Sequence, residues 1–252
     1  MNSLDYEALK LASQKTYRAD LFSTAQILLG YKDMTLNTHM PICEALTSDT
    51  LRKLICVPRG TFKSSIGAVA YPIWLLMRNP NLRILIDSEL FGNSVTYLNE
   101  IKNLILSRKF KAIFGDWMPT NEQQKKLGYS WSDSEITIAT RQIIKKEPSI
   151  SVGGVGTTKV GQHFDVIIGD DYNSPKNSGS KEQRDKVIDH FKYNQSILDP
   201  GGIYVIIGTR YSEDDLIGWI LKNELNLTLD DLYKQNKSRG MYELNPRGLL
   251  GG

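Results

Sequence analysis

Short strand-forming runs recur along this chain, and helical stretches separate them. Leu54-Ile55-Cys56-Val57, Leu82 to Ile86, Asp165 to Ile168 and Ile203 to Ile207 are each four or five residues long. Between them lie patterns long enough for helices: Lys63 to Met77, Leu90 to Leu106 and Ser180 to Ile197, with Asp214 to Leu221 and Leu229 to Lys234 after the last strand. Pro72 predicts a kink in the first of these helices. Buried strands alternating with longer helices predict an α/β fold whose mainly parallel sheet is covered by helices on both faces.

The rest of the chain is read against that alternation. Residues Tyr6 to Leu29 have helical spacing at Leu9, Ala12, Leu21, Ala25 and Leu28, and Gly30 ends the pattern. A shorter helix is predicted over His39 to Leu46. Residues 1–45 are therefore expected to form a helical lid or flank ahead of a core spanning 46–240. Glu135 to Thr140 alternates like a half-buried strand, and Ser149 to Val152 reads as another. Residues 110–134, with more Gly, Pro, Gln and Lys, read as an excursion from the core. Residues 241–252 read as a linker or tail.

Composition adds limits but no function. The 252 residues suffice for one large domain or two small ones, and 40% hydrophobic with 23% charged residues suits a globular protein with a real core. A net charge of +3 permits a local DNA-binding patch without demanding one. Cys43 and Cys56 sit in apolar surroundings, which argues against a disulfide scaffold. No apolar run reaches the roughly 18 residues of a membrane span. Asp5 and Glu7 at the start lead into no apolar core, so no secretory signal is expected.

Chemistry enters at the first strand-turn-helix, Val57-Pro58-Arg59-Gly60-Thr61-Phe62-Lys63-Ser64-Ser65. A triphosphate site needs backbone N–H groups converging ahead of a helix N-terminus, a lysine for the β and γ phosphates, and a hydroxyl for Mg²⁺. Lys63 and Ser64 meet the last two requirements. The usual pattern, G-x-x-x-x-G-K-[ST], is kept only in part. Val57 and Phe62 stand at its two glycine positions, and Phe at a turn position that often needs positive φ is costly.

A second signal is Phe164-Asp165-Val166-Ile167-Ile168-Gly169-Asp170-Asp171, an apolar strand ending in two carboxylates. Strand C-termini of a parallel sheet line its ligand crevice. Asp170 is assigned to the Mg²⁺ shell, and Asp171 to orienting or deprotonating the attacking water. Ile203-Tyr-Val-Ile-Ile-Gly-Thr-Arg210 repeats the design. Thr209 stands where a hydroxyl can touch both the γ-phosphate and that water. Together these segments predict a P-loop NTPase fold of the RecA/ASCE-like kind that uses ATP and Mg²⁺.

Four segments carry a resemblance to the ATPase domain of the large terminase subunit, the motor that packages viral DNA. They are Pro58 to Ser65, Val155-Gly-Thr-Thr-Lys-Val-Gly-Gln-His-Phe-Asp165, Ile167-Ile-Gly-Asp-Asp171 and Ile207-Gly-Thr-Arg-Tyr211. The Arg59-Gly60 form of the loop is characteristic of that family. The resemblance implies ATP-driven translocation of double-stranded DNA into a procapsid in the host-cell cytoplasm. It also implies a homo-oligomeric ring, often pentameric, docked on a portal, with a small terminase subunit as partner and no membrane. Arg59 would be the loop arginine at the γ-phosphate, Asp170 the Walker B aspartate and Asp171 the catalytic acid. Gly208 and Thr209 would couple hydrolysis to movement. Arg141 is the candidate finger reaching a neighbouring subunit, or else an ordinary salt-bridge arginine, with Arg210 second. Such motors place an adenine pocket upstream of the loop, where Tyr31 and His39 lie; helix packing is the alternative for both. The family's nuclease domain does not fit in this length, so an ATPase domain alone is expected.

Two other readings share these residues. A helicase-like nucleic-acid-dependent ATPase needs a second lobe with its own arginine finger. A degenerate nucleotide-binding scaffold is suggested by the missing loop glycines. His39, His163 and His190 lack the spacing of a structural metal site. The basic clusters at Arg108, Lys109, Lys111, at Lys125, Lys126 and at Lys145, Lys146 suit either a DNA-facing surface or a solvated face. Gly-rich Ser151 to Thr158 reads as a flexible turn and not as a second nucleotide loop.

Overall fold

The computed structural model describes residues 3–224 and 242–244. The predicted helix at 229–234 lies outside the described residues, as does the predicted tail at 241–252 except for Tyr242–Leu244, which forms an edge strand and not a linker. The α/β expectation holds: helices cover both faces of a mostly parallel sheet.

The N-terminal flank contains α1 (Ser3–Ala19), α2 (Leu21–Ser23), a π-helical turn (Thr24–Leu28) and α3 (Leu36–Thr47). The single helix predicted over Tyr6 to Leu29 is interrupted at Asp20. That residue takes an extended conformation (φ −132°), and its carboxylate accepts from the N–H groups of Phe22 and Ser23, starting a new helix. The flank is not loosely attached. Leu21, Phe22, Ala25 and Leu28 belong to the same buried cluster as the sheet.

The strands are β1 (Arg52–Cys56), β2 (Ile84–Ser88), β3 (Glu135–Ile136), β4 (Ile150–Gly154), β5 (Phe164–Asp170), β6 (Leu198–Gly208) and β7 (Tyr242–Leu244). Their order is β3-β4-β2-β5-β6-β1-β7. The five central strands are parallel, and β3 and β7 run antiparallel at the edges. The strand predicted over Glu135 to Thr140 is confined to Glu135–Ile136.

The other helices are α4 (Tyr71–Arg78), α5 (Phe91–Ile105), α6 (Arg108–Phe114), α7 (Asn121–Leu127), α8 (Lys181–Ser196) and α9 (Leu216–Asn223). A π-helical stretch, Ser65–Ala70, runs directly into α4. Pro72 therefore sits in the first turn of α4, where its missing N–H costs little, and the irregularity predicted at Pro72 falls just before it. The excursion at 110–134 is not a separate unit. Phe110 and Trp117 are buried in the main core.

Period-two alternation divides the sheet's side chains between two layers. Ile55, Ile84, Ile86, Val166, Ile168, Val205 and Ile207 face α4 and α5. Leu54, Leu85, Ile167, Tyr204 and Ile206 face α8 and α9. Each such fully buried aliphatic side chain contributes about 1.5–3 kcal/mol. Among the described residues no helix is long and apolar enough to cross a membrane.

Candidate functional site

Three strand ends converge at the carboxyl edge of the sheet, and β6 lies between β1 and β5. The Val57 N–H donates to the Gly208 carbonyl at 3.1 Å, and the Thr209 hydroxyl donates to the Val57 carbonyl at 3.2 Å. On the other side, the Asp171 N–H donates to the Ile207 carbonyl at 2.9 Å, and the Thr209 N–H donates to Asp171 Oδ1 at 3.2 Å. Gly208 suits this closeness: a Cβ there would stand 3.2 Å from Asp171 Oδ1, and the carboxylate would have to give by a few tenths of an ångström. The loop after β1 then returns over the same point. Lys63 Nζ lies 2.9 Å from Asp171 Oδ2, with the lysine buried and the carboxylate half-buried.

Asp170, one residue earlier, is fully buried. Its Oδ2 accepts from the Tyr97 hydroxyl at 2.7 Å, and its Oδ1 has no hydrogen-bond partner among the described residues. The Asp170 carboxyl is pushed up to about 6, chiefly by burial and secondarily by the adjacent Asp171 charge, with the hydrogen bond from Tyr97 partly offsetting the rise. Ser64 and Lys63 pull it down. Tyr97 is raised in turn, first by burial and then by the Asp170 charge. A buried carboxylate with a free oxygen is costly unless a cation or donor joins it.

Backbone strain marks the same place. Among the described residues, Phe62 (φ 53°) and Asp171 (φ 45°) are the only non-glycine positions with positive φ. Each costs on the order of 1–3 kcal/mol and persists only where its surroundings hold it. Asp171 is held by its backbone bond to Ile207 and by its carboxylate bonds. Phe62 is held by its ring, which meets His39 edge-on at 5.4 Å and Tyr31 at 6.3 Å. The Phe62 carbonyl accepts from the Ile66 N–H at 2.8 Å, so the strained residue also opens the following helix. Gly60 (φ 80°) turns the loop, and the Thr61 hydroxyl donates to the Pro58 carbonyl at 2.8 Å. Arg59 is exposed and rests on Tyr211: its Nε donates to the phenol oxygen at 2.8 Å, and its guanidinium lies 5.3 Å from the ring centre.

The structure thus brings together Lys63, Ser64, Asp170, Asp171 and Thr209, while Arg59 lies on Tyr211, two residues beyond Thr209. Tyr31 and His39 reach this neighbourhood through Phe62; the Tyr31 hydroxyl donates to Glu100 at 2.6 Å, and His39 Nδ1 accepts from the Thr35 N–H at 2.8 Å. Arg141 is not brought here. It is buried on the opposite side of the sheet, near Arg83, Glu147 and Asp165, and its Nη1 donates to the Glu147 carbonyl at 2.7 Å. As folded, it is buried and so is not an exposed salt-bridge arginine. Arg210 lies beside Thr209 with its Nε on the Ser212 carbonyl. Several cluster lysines are engaged within the chain, Lys111 with Asp116, Lys126 with Glu122 and Lys146 with the Gly161 carbonyl.

Sequence reasoning missed two features. Tyr97 carries no motif and stands as one aromatic on an amphipathic helix. Asp87 is buried and accepts on Oδ2 from Tyr172, His190 and Asn194, at 3.0, 2.6 and 2.6 Å. This network ties the residue after Asp171 to α8. The Gly-rich stretch forms the end of β4, with its turn at Gly156 (φ 90°), so it is strand and not loop up to Gly154.

Ser64 and Asp170 suit a divalent cation delivered with phosphates. Mg²⁺ needs only one or two carboxylates when phosphates and water complete its shell. The unpartnered, buried Oδ1 of Asp170 is the atom such an ion would satisfy. No protein-family model matches this chain, and no curated protein matches it significantly.

Proposed function

We propose that this chain is the ATP-hydrolysing domain of a DNA-translocating motor, a P-loop NTPase of the RecA/ASCE-like kind. The observation that carries the reading is the Lys63–Asp171 ion pair at 2.9 Å, with the Thr209 N–H on the same carboxylate. Motif residues far apart in sequence meet at one point, at the carboxyl ends of parallel strands, where α/β folds bind ligands. The strand inserted between β1 and β5 supports the RecA-like class in particular, since it puts Thr209 between the loop and the acids.

In this reading residues 58–65 wrap the phosphates and Lys63 exchanges Asp171 for phosphate oxygens. Ser64 and Asp170 would hold Mg²⁺, whose chemistry there would be to neutralise charge on the phosphates. Asp171, freed from Lys63, orients and deprotonates water. Thr209 reads the state of that carboxylate through its N–H and passes it to Val57 through its hydroxyl. Arg59 leaves Tyr211 to meet the γ-phosphate. The resemblance to the large terminase subunit extends the proposal to double-stranded DNA as cargo, with a ring on a procapsid portal and a small terminase subunit as partner.

Mg-ATP turnover tests the site. Lys63→Ala should lower it by about a hundredfold or more, because a charge aimed at the reacting phosphates is lost. Asp171→Asn should lower it by about 10²–10⁴ through loss of the base. Normal turnover in both variants would sink the assignment.

A further inference from the structure

Tyr97 touches the candidate site, yet no motif and no step above assigns it a role. It stands on α5, half-buried, and its hydroxyl donates to Asp170 Oδ2 at 2.7 Å. A phenol at neutral pH brings a proton to this bond, and a donor on a carboxylate makes a strong, charge-assisted contact. An aspartate's terminal torsion is otherwise broad and roughly two-fold, so nothing intrinsic decides which way its second oxygen points. The bond to Tyr97 decides it.

Both ends of that bond are anchored. The Asp170 backbone is paired with Ser88 on one side and Ile207 on the other. On α5, Leu98, Ile101 and Ile105 are buried in the core. The start of α5 presses on β4 so closely that a Cβ on Gly154 would lie 2.5 Å from the Phe91 nitrogen. One turn beyond Tyr97, Glu100 accepts from Tyr31. Helix α5 can therefore deliver the Tyr97 hydroxyl to a fixed point. What remains of Asp170 is Oδ1, fully buried and without a partner.

We infer that Tyr97 is a positioning residue that holds the Asp170 carboxylate so that its unpartnered Oδ1 receives the divalent cation accompanying the nucleotide. The inference rests on the nucleotide-site reading above. Partners that orient a metal-binding carboxylate typically govern 10–100-fold of metal affinity.

The test is Mn²⁺ affinity, followed by electron paramagnetic resonance, with a non-hydrolysable ATP analogue bound to the full chain. Tyr97→Phe should weaken Mn²⁺ binding about ten- to a hundredfold, while analogue affinity in EDTA and the melting temperature stay at wild-type values. In an Asp170→Asn background the same substitution should cost nothing further, because Tyr97 acts through Asp170. Unchanged Mn²⁺ affinity in Tyr97→Phe, or an equal loss in the Asp170→Asn background, overturns the role of Tyr97 and leaves the nucleotide site standing. Failure of the wild-type chain to bind the analogue at all removes the site reading and this inference with it. Should Tyr97→Phe not fold, Tyr97→His, which keeps a ring donor, takes its place. It is expected to bind Mn²⁺ more tightly than Tyr97→Leu, and equal affinities would overturn the inference.

Discussion

Strand β5 carries a buried or half-buried carboxylate at each end, and the two are treated in opposite ways. At its amino end, Asp165 accepts three bonds from Arg83: from the backbone N–H at 2.7 Å, from Nε at 3.0 Å and from Nη2 at 2.7 Å. Burial pushes this carboxyl up, but the Arg83 bonds outweigh it and hold it below the usual range. Arg83 also meets Asp199 and Glu147, so one guanidinium gathers charges from the starts of several strands. At the carboxyl end, Asp170 has one bond, a free oxygen and a carboxyl pushed up to about 6. Among the described residues, the two non-glycine positions with positive φ follow strand ends at that carboxyl edge, Asp171 after β5 and Phe62 in the loop after β1. The carboxylate at the amino end is matched by a cation within the chain, and the one at the carboxyl end is not, which is the pattern the proposed nucleotide site would use.

The contrast can be broken most directly at its stable end. Arg83→Ala should cost about 2–4 kcal/mol, because it leaves buried Glu147 and half-buried Asp165 and Asp199 without their shared cation, the exposed part of the cluster being screened by solvent. Urea denaturation measures this, and a loss below about 1 kcal/mol would mean that the hub is not what secures the amino edge. At the other end, Asp170→Asn should stabilise the fold by up to about 3 kcal/mol at pH 8. The folded protein holds the Asp170 proton more tightly than the unfolded chain does. Its contribution to stability is therefore fully present below about pH 4 and is lost as pH rises through about 6. The variant should match wild type near pH 4 and exceed it above pH 6; equal curves across that window would show that Asp170 carries no such cost.

Two smaller effects sharpen the comparison. Phe62→Gly should be about 1 kcal/mol less destabilising than Phe62→Ala, since both lose the ring and only glycine relieves the positive φ. Identical melting shifts would place the strain elsewhere. Arg141→Met should change stability by less than about 1 kcal/mol. Although Arg141 is buried, its Nε and Nη2 have no partner, so little is lost by removing the charge. A large drop in melting temperature would show that its bond to the Glu147 carbonyl matters more than its unmet donors.

Much of this arrangement was legible in the residues. Apolar runs ending in Val57, Asp170 and Thr209 become strands ending at one edge, because a parallel sheet leaves its carboxyl ends on one side. The helix around Leu90 to Leu106 was read to within a residue at each end. The order of strands was not legible, since periodicity says nothing about which strand lies beside which, and β6 enters between β1 and β5 from far along the chain. Arg141 was misplaced for the same reason: its surroundings come from Arg83, Glu147 and Asp165, and nothing local announces burial. Tyr97 gave no signal because one tyrosine on an amphipathic helix has no distinguishing spacing. Phe62 was legible as an anomaly and became intelligible only when the flank supplied Tyr31 and His39.

That last pairing bears on how this protein can be recombined. The loop residue that breaks the usual glycine pattern leans on two rings from a segment that precedes the sheet. Loop and flank are therefore one unit of inheritance. A chimera that keeps residues 46–224 but takes its first helices from elsewhere would leave Phe62 in its strained turn with nothing behind it. A glycine restored at position 62 would free the loop from the flank at the cost of a gap between them.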